Sequence, residues 1–227
     1  MSLKYNLKNL PTNTNVYFNP NSSNNLDEIK EIIESDAYFT LPNEIDINDN
    51  YKILSEYICR LIENSGFLCK GLSLEYIKYA FETADAIIAI SSTGINILPN
   101  GNIFGFALIN FNEKDNSVHI DVICSHTGIK YAGEIVLNSI DYMCNILLIT
   151  KIKLNSVSTA VTFYEKYGFK KKELCENNKD LCEMEKNISK KSLGGNRRKT
   201  NKIKKQNKKT KKRKKYIKRV SLKSSRS

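Results

Sequence analysis

Apolar residues fall at helical spacing through residues 51–66, YKILSEYICRLIENSG, where Ile53, Leu54, Tyr57, Ile58, Leu61 and Ile62 form one stripe and Gly66 marks the stop. A shorter stripe over residues 26–35, LDEIKEIIES, predicts a helix before it. A third helix is predicted over residues 73–84, SLEYIKYAFETA, with Ser73 as its cap and Tyr76 where a full capping box would carry Glu. The period then changes. DAIIAISS (85–92), NIFGFALINFN (102–112) and SVHIDVICS (117–125) read as consecutive strands separated by turns containing Asn, Gly or Asp, which is an antiparallel meander. Beyond it a glycine-bearing loop, GIKYAGEIVL (128–137), runs into a helix, EIVLNSIDYMCN (134–145). A strand over LLITKIKLNS (147–156) follows, then a short helix within AVTFYEKYGF (160–169) that turns through Gly168 toward a final strand between Phe169 and about Met184. Strands interleaved with helices after a meander make the class α/β and the sheet mixed.

Composition divides the chain. Of its 36 basic residues, 19 lie in residues 187–227, which contain no acid, so residues 1–186 keep 17 basic against 24 acidic residues, a formal net of −7. The basic stretch has almost nothing to bury and repels itself, so a disordered Lys/Arg-rich tail is expected, hinged at Gly194 and Gly195. The remaining 186 residues suffice for one domain with a full core. Residues 51–186 carry the readable pattern, and residues 1–50, rich in Asn, are expected to pack on it as a polar segment. No apolar run approaches the roughly 18 residues of a membrane span, and MSLKYNLKNL has no apolar core of signal-peptide length. The expectation is a soluble intracellular protein, in cytoplasm, nucleus or virion, with no membrane partner. Six cysteines (Cys59, Cys69, Cys124, Cys144, Cys175, Cys182) stand singly without Cys-x-x-Cys spacing, and two histidines do not build a metal site with them. They are read as free thiols buried in a reducing compartment.

The chemistry concentrates in the second half. A glycine-bearing loop entering a helix presents backbone N–H groups and a helix N-terminus, where a diphosphate is best stabilised. Lys130 adds an ammonium. This loop, followed 27 residues after Gly133 by Ala160, Tyr164, Gly168 and Phe169, resembles the GNAT superfamily of N-acetyltransferases over roughly residues 85–172. The resemblance implies a GNAT-like mixed, mostly antiparallel central sheet flanked by helices. It also implies acetyl-CoA as co-substrate and an amine as acceptor. The family's loop reads Arg/Gln-x-x-Gly-x-Gly/Ala. With Gly133 in the last position, Tyr131 stands where the first Gly is expected and Gly128 where Arg or Gln is; with Ala132 there, Lys130 takes the first Gly position. Either register leaves a side chain near the path of the phosphates.

Carried onto this chain, the cofactor-binding residues are Val122 and Ile123, through the backbone of their strand, and Gly128, Ile129, Lys130, Tyr131, Ala132, Gly133 and Glu134 in the loop and helix start. Tyr164 matches the family's tyrosine that protonates the departing thiolate; a phenol of reference pKa about 10 is protonated at neutral pH. Asp121 is the candidate base, with a backbone N–H near it to polarise the thioester carbonyl. His119, two residues away, shares its face, and His126 reads as a turn residue. Acceptor specificity belongs to residues 1–73, which carry no diagnostic motif.

A second class of function is open. The domain could serve as a catalytically degenerate GNAT scaffold whose tail binds nucleic acid non-specifically through phosphate contacts. Lys-rich tails with Gly-Gly and RRKT are similar to those on proteins of giant DNA viruses, and RRKT and KKTKKRKK resemble nuclear-localisation runs.

Overall fold

Two runs of branched apolar residues set the centre of the molecule. Ala86–Ile90 (AIIAI) and Ile103–Ile109 are buried along both of their faces, which requires cover above and below the sheet. A computed structural model describes residues 5–6, 12–41, 47–66, 68–92, 103–172 and 181–188. In chain order its elements are β1 (Tyr5–Asn6), β2 (Thr12–Phe18), α1 (Asp27–Glu34), β3 (Phe39–Thr40), α2 (Ile47–Ser65), α3 (Leu74–Thr83), β4 (Ala86–Ser92), β5 (Ile103–Asn112), β6 (Ser117–Ser125), β7 (Ile129–Lys130), α4 (Ala132–Ile146), β8 (Lys151–Val157), α5 (Val161–Lys166), β9 (Lys170–Lys171) and β10 (Leu181–Asn187).

Eight strands form one sheet in the order β3-β2-β4-β5-β6-β8-β10-β9, and β1 pairs separately with β7. The meander β4-β5-β6 is antiparallel as the pattern predicts. Within the large sheet, parallel pairing is confined to β6 with β8 and β2 with β3, so the sheet is mixed and mostly antiparallel, with helices on both faces. One core packs Ile88, Ile90, Ala107, Ile109, Val118 and Ile120 against Val136, Ile140 and Met143 of α4. The other packs Ile87, Phe106, Leu108, Val122 and Cys124 against Ile58 of α2 and Ile77 and Phe81 of α3. Ser73 caps α3 by accepting from the Tyr76 N–H at 3.2 Å, which satisfies one of the first-turn donors.

Four features depart from the sequence reading. The polar N-terminal segment contributes a full strand: β2 pairs antiparallel with β4 from Thr12↔Ser92 to Phe18↔Ala86. Its Thr14, Val16 and Phe18 face inward, an alternation present in the sequence but masked by Asn and Thr. Leu147–Thr150 do not begin β8. The turn of α4 continues through them, with Leu147 N–H donating to Met143 O at 3.0 Å and Ile149 N–H to Cys144 O at 2.8 Å, and Leu148 ends the helix in the left-handed region at φ 57°. Asn187, placed at the head of the tail by composition, closes β10 opposite Lys151; residues 189–227 lie outside the described residues.

The cysteines are the fourth. Cys69 and Cys124 form a disulfide with a Cα–Cα distance of 4.8 Å, and Cys182 is also disulfide-bonded, while Cys59 and Cys144 are buried free thiols. Cysteines 55 positions apart in sequence meet because α3 packs on β6, a non-local contact that spacing does not reveal. The argument from free thiols to a reducing compartment therefore fails.

Candidate active site

β6 and β8 run parallel and in register only from Ser117↔Lys151 to Ile120↔Leu154. β6 continues to Ser125 and β8 to Val157, so beyond Ile120 the two strands part and, among the described residues, β6 keeps only β5 as a neighbour. At the same point the β5–β6 ladder skips a residue: Ile109 pairs with Ile120 and Leu108 with Val122, leaving Asp121 as the extra residue of a bulge. Bulges end pairing and re-aim side chains. Here the bulge moves Val122 and Cys124 into the core beneath α2 and α3, whereas Val118 and Ile120 belong to the core beneath α4.

The re-aimed Asp121 is held from three sides. Asn110 Nδ2 donates to its Oδ2 at 2.5 Å, His119 Nε2 stands 3.4 Å from its Oδ1, and the Tyr76 hydroxyl of α3 donates to its backbone oxygen at 3.3 Å. Its side chain is 21 % exposed. Burial pushes the carboxyl above the usual carboxylate range, with His119 and the Asn110 hydrogen bond opposing and Asp85 adding to the rise. Asp121 and His119 are thus brought together as their spacing predicts.

The open end of β6 leads to the start of α4. Tyr131, at φ 71°, takes a conformation that glycine favours, at the loop position where one of the two registers of the resemblance places Gly. The first α4 bond runs from the Ile135 N–H to Tyr131 O, and no side chain caps the helix. The N–H groups of Ala132, Gly133 and Glu134 therefore precede the helical ladder and, among the described residues, have no acceptor. Glu134 stands in that first turn, and burial, with this carboxylate adding to it, raises the pKa of the Tyr167 phenol. Lys130 Nζ lies over the Tyr131 ring, 4.8 Å from its centroid.

Earlier in the loop the backbone is engaged elsewhere. Gly128 N–H donates to His126 Nδ1 at 3.1 Å, so His126 closes the turn. Ile129 N–H donates to His126 O at 3.1 Å, Ile129 and Lys130 pair with Tyr5 and Asn6, and the Ile129 side chain is in the core. Val122 is buried under α2 and α3, and Ile123 is packed on the opposite core.

α5 completes the site. Phe163 Cζ would stand 3.3 Å from a Cβ at Gly133, and Ser125 Oγ 3.5 Å from it, so α5, the end of β6 and the start of α4 converge where the glycine leaves space. Tyr164, next to Phe163, is 8 % exposed. Its ring packs edge-on against Phe163 and Phe169 at 5.2 and 5.7 Å, and its hydroxyl has no partner among the described residues. Burial pushes its pKa up to about 12. A groove of about 770 Å³ between α2, α3 and the turn after β2, lined by Lys52, Glu56, Arg60 and Glu82 around Cys59, contains none of these residues.

Asn110, Tyr76, Ser125 and Phe163 escaped the sequence reading. Asn110 alone had a signal: it is the one polar residue on the inward alternation Phe106, Leu108, Asn110 of an otherwise apolar strand.

No family model matches the sequence, and no curated protein matches it. Solved structures resemble the fold at low identity. A GNAT-family protein from Desulfovibrio desulfuricans is 12 % identical, with a TM-score of 0.47 over 60 % of this chain and 94 % of its own. Tetrahymena GCN5 is 12 % identical, with a TM-score of 0.44 over 66 % and 94 %. The PaiA N-acetyltransferase from Thermoplasma acidophilum, in complex with coenzyme A, is 15 % identical, with a TM-score of 0.41 over 61 % and 93 %.

Proposed function

We propose that this chain is an N-acetyltransferase that uses acetyl-CoA and an amine acceptor. One observation carries the reading: β6 parts from β8 at the bulged Asp121, and its free end meets an uncapped helix start and Phe163 of α5, whose neighbour Tyr164 has a buried hydroxyl with no partner among the described residues. The N–H groups of Ala132, Gly133 and Glu134 fit a diphosphate, and Gly133 lets Phe163 and Ser125 close against the helix start. The backbone of Val122 and Ile123 would run along the pantetheine arm. Acetyl-CoA supplies an activated acyl group as a thioester.

The residues divide the proton work. Asp121, raised by burial, takes the ammonium proton at Oδ1, since Oδ2 is held by Asn110. Tyr164 serves the other side. With its pKa near 12 and a thiol reference of about 8.5, full proton transfer to a thiolate is uphill by about 5 kcal/mol. The Tyr164 O–H therefore stabilises the thiolate chiefly by hydrogen bonding, and solvent supplies the proton.

The test is thermal unfolding of the protein with acetyl-CoA. At about 100 times the dissociation constant, linkage adds about 2.7 kcal/mol of stability. No rise in melting temperature with millimolar acetyl-CoA rejects the reading.

A second reading, a scaffold whose basic tail binds nucleic acid, is favoured by Glu134, which places a carboxylate in the turn where phosphates would bind. It predicts no acetyl-CoA response. It also predicts DNA binding that is lost when residues 193–227 are deleted and that weakens by about 0.9 log unit per phosphate contact for each decade of salt.

A further inference from the structure

Asp121 is fixed by a chain of hydrogen bonds that begins far from it in sequence. Asp85, 3 % exposed, accepts from Ser22 Oγ at one carboxylate oxygen, and at the other from Asn24 Nδ2 at 2.8 Å and the Phe111 N–H at 2.7 Å. These bonds lock the start of β4 to β5 and to the turn after β2. The Asp85 N–H, shared between two acceptors, then donates to Asn110 Oδ1 at 2.9 Å and to Ile109 O at 3.0 Å. An amide whose oxygen must face an N–H has its NH₂ group directed the other way. Asn110 Nδ2 accordingly points at Asp121 Oδ2 and meets it at 2.5 Å. Asn110 lies opposite His119 in the β5–β6 ladder, next to the bulge. A bulged residue lacks the ladder partner that would otherwise fix its backbone. A side-chain tether from the neighbouring strand supplies what the ladder does not.

We propose that Asn110 is a positioning residue for Asp121: its amide, oriented by the Asp85 N–H, occupies Oδ2 and leaves Oδ1 as the only carboxylate oxygen that can receive a proton from the acceptor. This rests on Asp121 as the base of the proposed transfer and adds the group that aims it. The other titratable groups facing Asp121 are His119 on its own strand, Asp85 at the start of β4 and Tyr76 on α3. None of them contacts Oδ2. His119 approaches Oδ1, so it competes with the acceptor, whereas Asn110 does not.

The experiment measures two things on Asn110→Ala: the pH dependence of acetyl transfer, and the pH titration of the Asp121 side-chain carboxyl by ¹³C NMR in the protein alone. Loss of the Asn110 donor removes a bond that favours the carboxylate, so both the acid limb and the NMR midpoint move to higher pH. Misalignment lowers kcat by about tenfold, while the KM for acetyl-CoA holds. Asn110→Ser, which keeps a hydroxyl to accept from the Asp85 N–H, folds where alanine fails and shows the same upward shift. In an Asp121→Asn background, Asn110→Ala lowers kcat no further. An unmoved Asp121 midpoint, or losses that add in the double variant, overturns the proposal. The titration needs no turnover, so if no amine is acetylated the acetyltransferase reading falls while the Asn110–Asp121 coupling is still decided by the NMR midpoint.

Discussion

Gly133 and Phe163 approach so closely that a Cβ on the glycine would stand 3.3 Å from Phe163 Cζ. Alanine at a helical position normally gains about 1 kcal/mol over glycine. Here that gain meets a contact in which Phe163, 36 % exposed, must give by a few tenths of an ångström. Gly133→Ala is therefore expected to change stability by less than about 1 kcal/mol. It narrows the space between α4, β6 and α5, so the thermal stabilisation by acetyl-CoA falls in Gly133→Ala and is abolished in Gly133→Val. Denaturant unfolding with and without ligand separates the two effects. A valine variant that keeps the full ligand shift places the diphosphate elsewhere.

Tyr164→Phe separates packing from chemistry. The Tyr164 ring is surrounded by Phe163 and Phe169, and its buried hydroxyl has no partner among the described residues. An unsatisfied buried hydroxyl costs about 1–3 kcal/mol, so the phenylalanine protein is expected to be the more stable one. Acetyl-CoA affinity stays nearly constant and turnover falls by about tenfold or more, the scale of a lost donor to the leaving group. Higher stability with unchanged turnover makes Tyr164 a packing residue.

Asp121→Asn tests the base through stability as well as rate. The folded carboxyl is raised above its unfolded value, with burial the largest cause. The folded state thus holds the proton more tightly than the unfolded chain. Stability from this group is fully present below the ordinary carboxylate pKa and is lost as pH rises through the raised one. At neutral pH the asparagine variant is expected to unfold at a higher temperature than wild type, and the difference should vanish in acid. Its acetyl transfer should lose the acid limb of its pH profile along with its rate. A variant less stable at pH 7 than wild type contradicts the assigned direction.

The meander was legible because β4, β5 and β6 carry long apolar runs bounded by turn residues, and α3 because Ser73 marks its start. β2 was not, since its buried Thr14 looks polar and only Val16 and Phe18 show the inward face. Apolar Leu147 to Ile149 resembled a strand, but the end of α4 claims their backbone bonds. Asp121 and His119 could be paired from spacing alone. Their tether could not, because Asn110 is 11 positions from Asp121 and Asp85 another 25 from Asn110, and the bulge that aims the carboxylate exists only in the ladder. The disulfide belongs to the same class: it depends on α3 lying across β6.

That disulfide is expected to matter for the acceptor rather than for acetyl-CoA. Cys69 lies in the α2–α3 connection and Cys124 on β6 three residues beyond Asp121, and both are buried. The Tyr76 bond to Asp121 O ties the same two elements a short way along α3. Closing a loop of 55 residues stabilises the fold by roughly 4 kcal/mol on chain-entropy grounds. The double substitution Cys69→Ser and Cys124→Ser, like reduction by a dithiol, should lower the denaturation midpoint by an amount of that order. The helix start at Ala132–Glu134 meets β6 at Ser125, the residue after Cys124, but this end of β6 stays laddered to β5 when the link is cut, so the acetyl-CoA shift is expected to survive. The wall beside Asp121 loses its covalent anchor, and the KM for the amine should rise more than kcat falls. Equal stability of the oxidised protein and the serine variant would show that this link contributes nothing. A loss of the acetyl-CoA shift would instead mean that β6 and α4 move together when α3 is released.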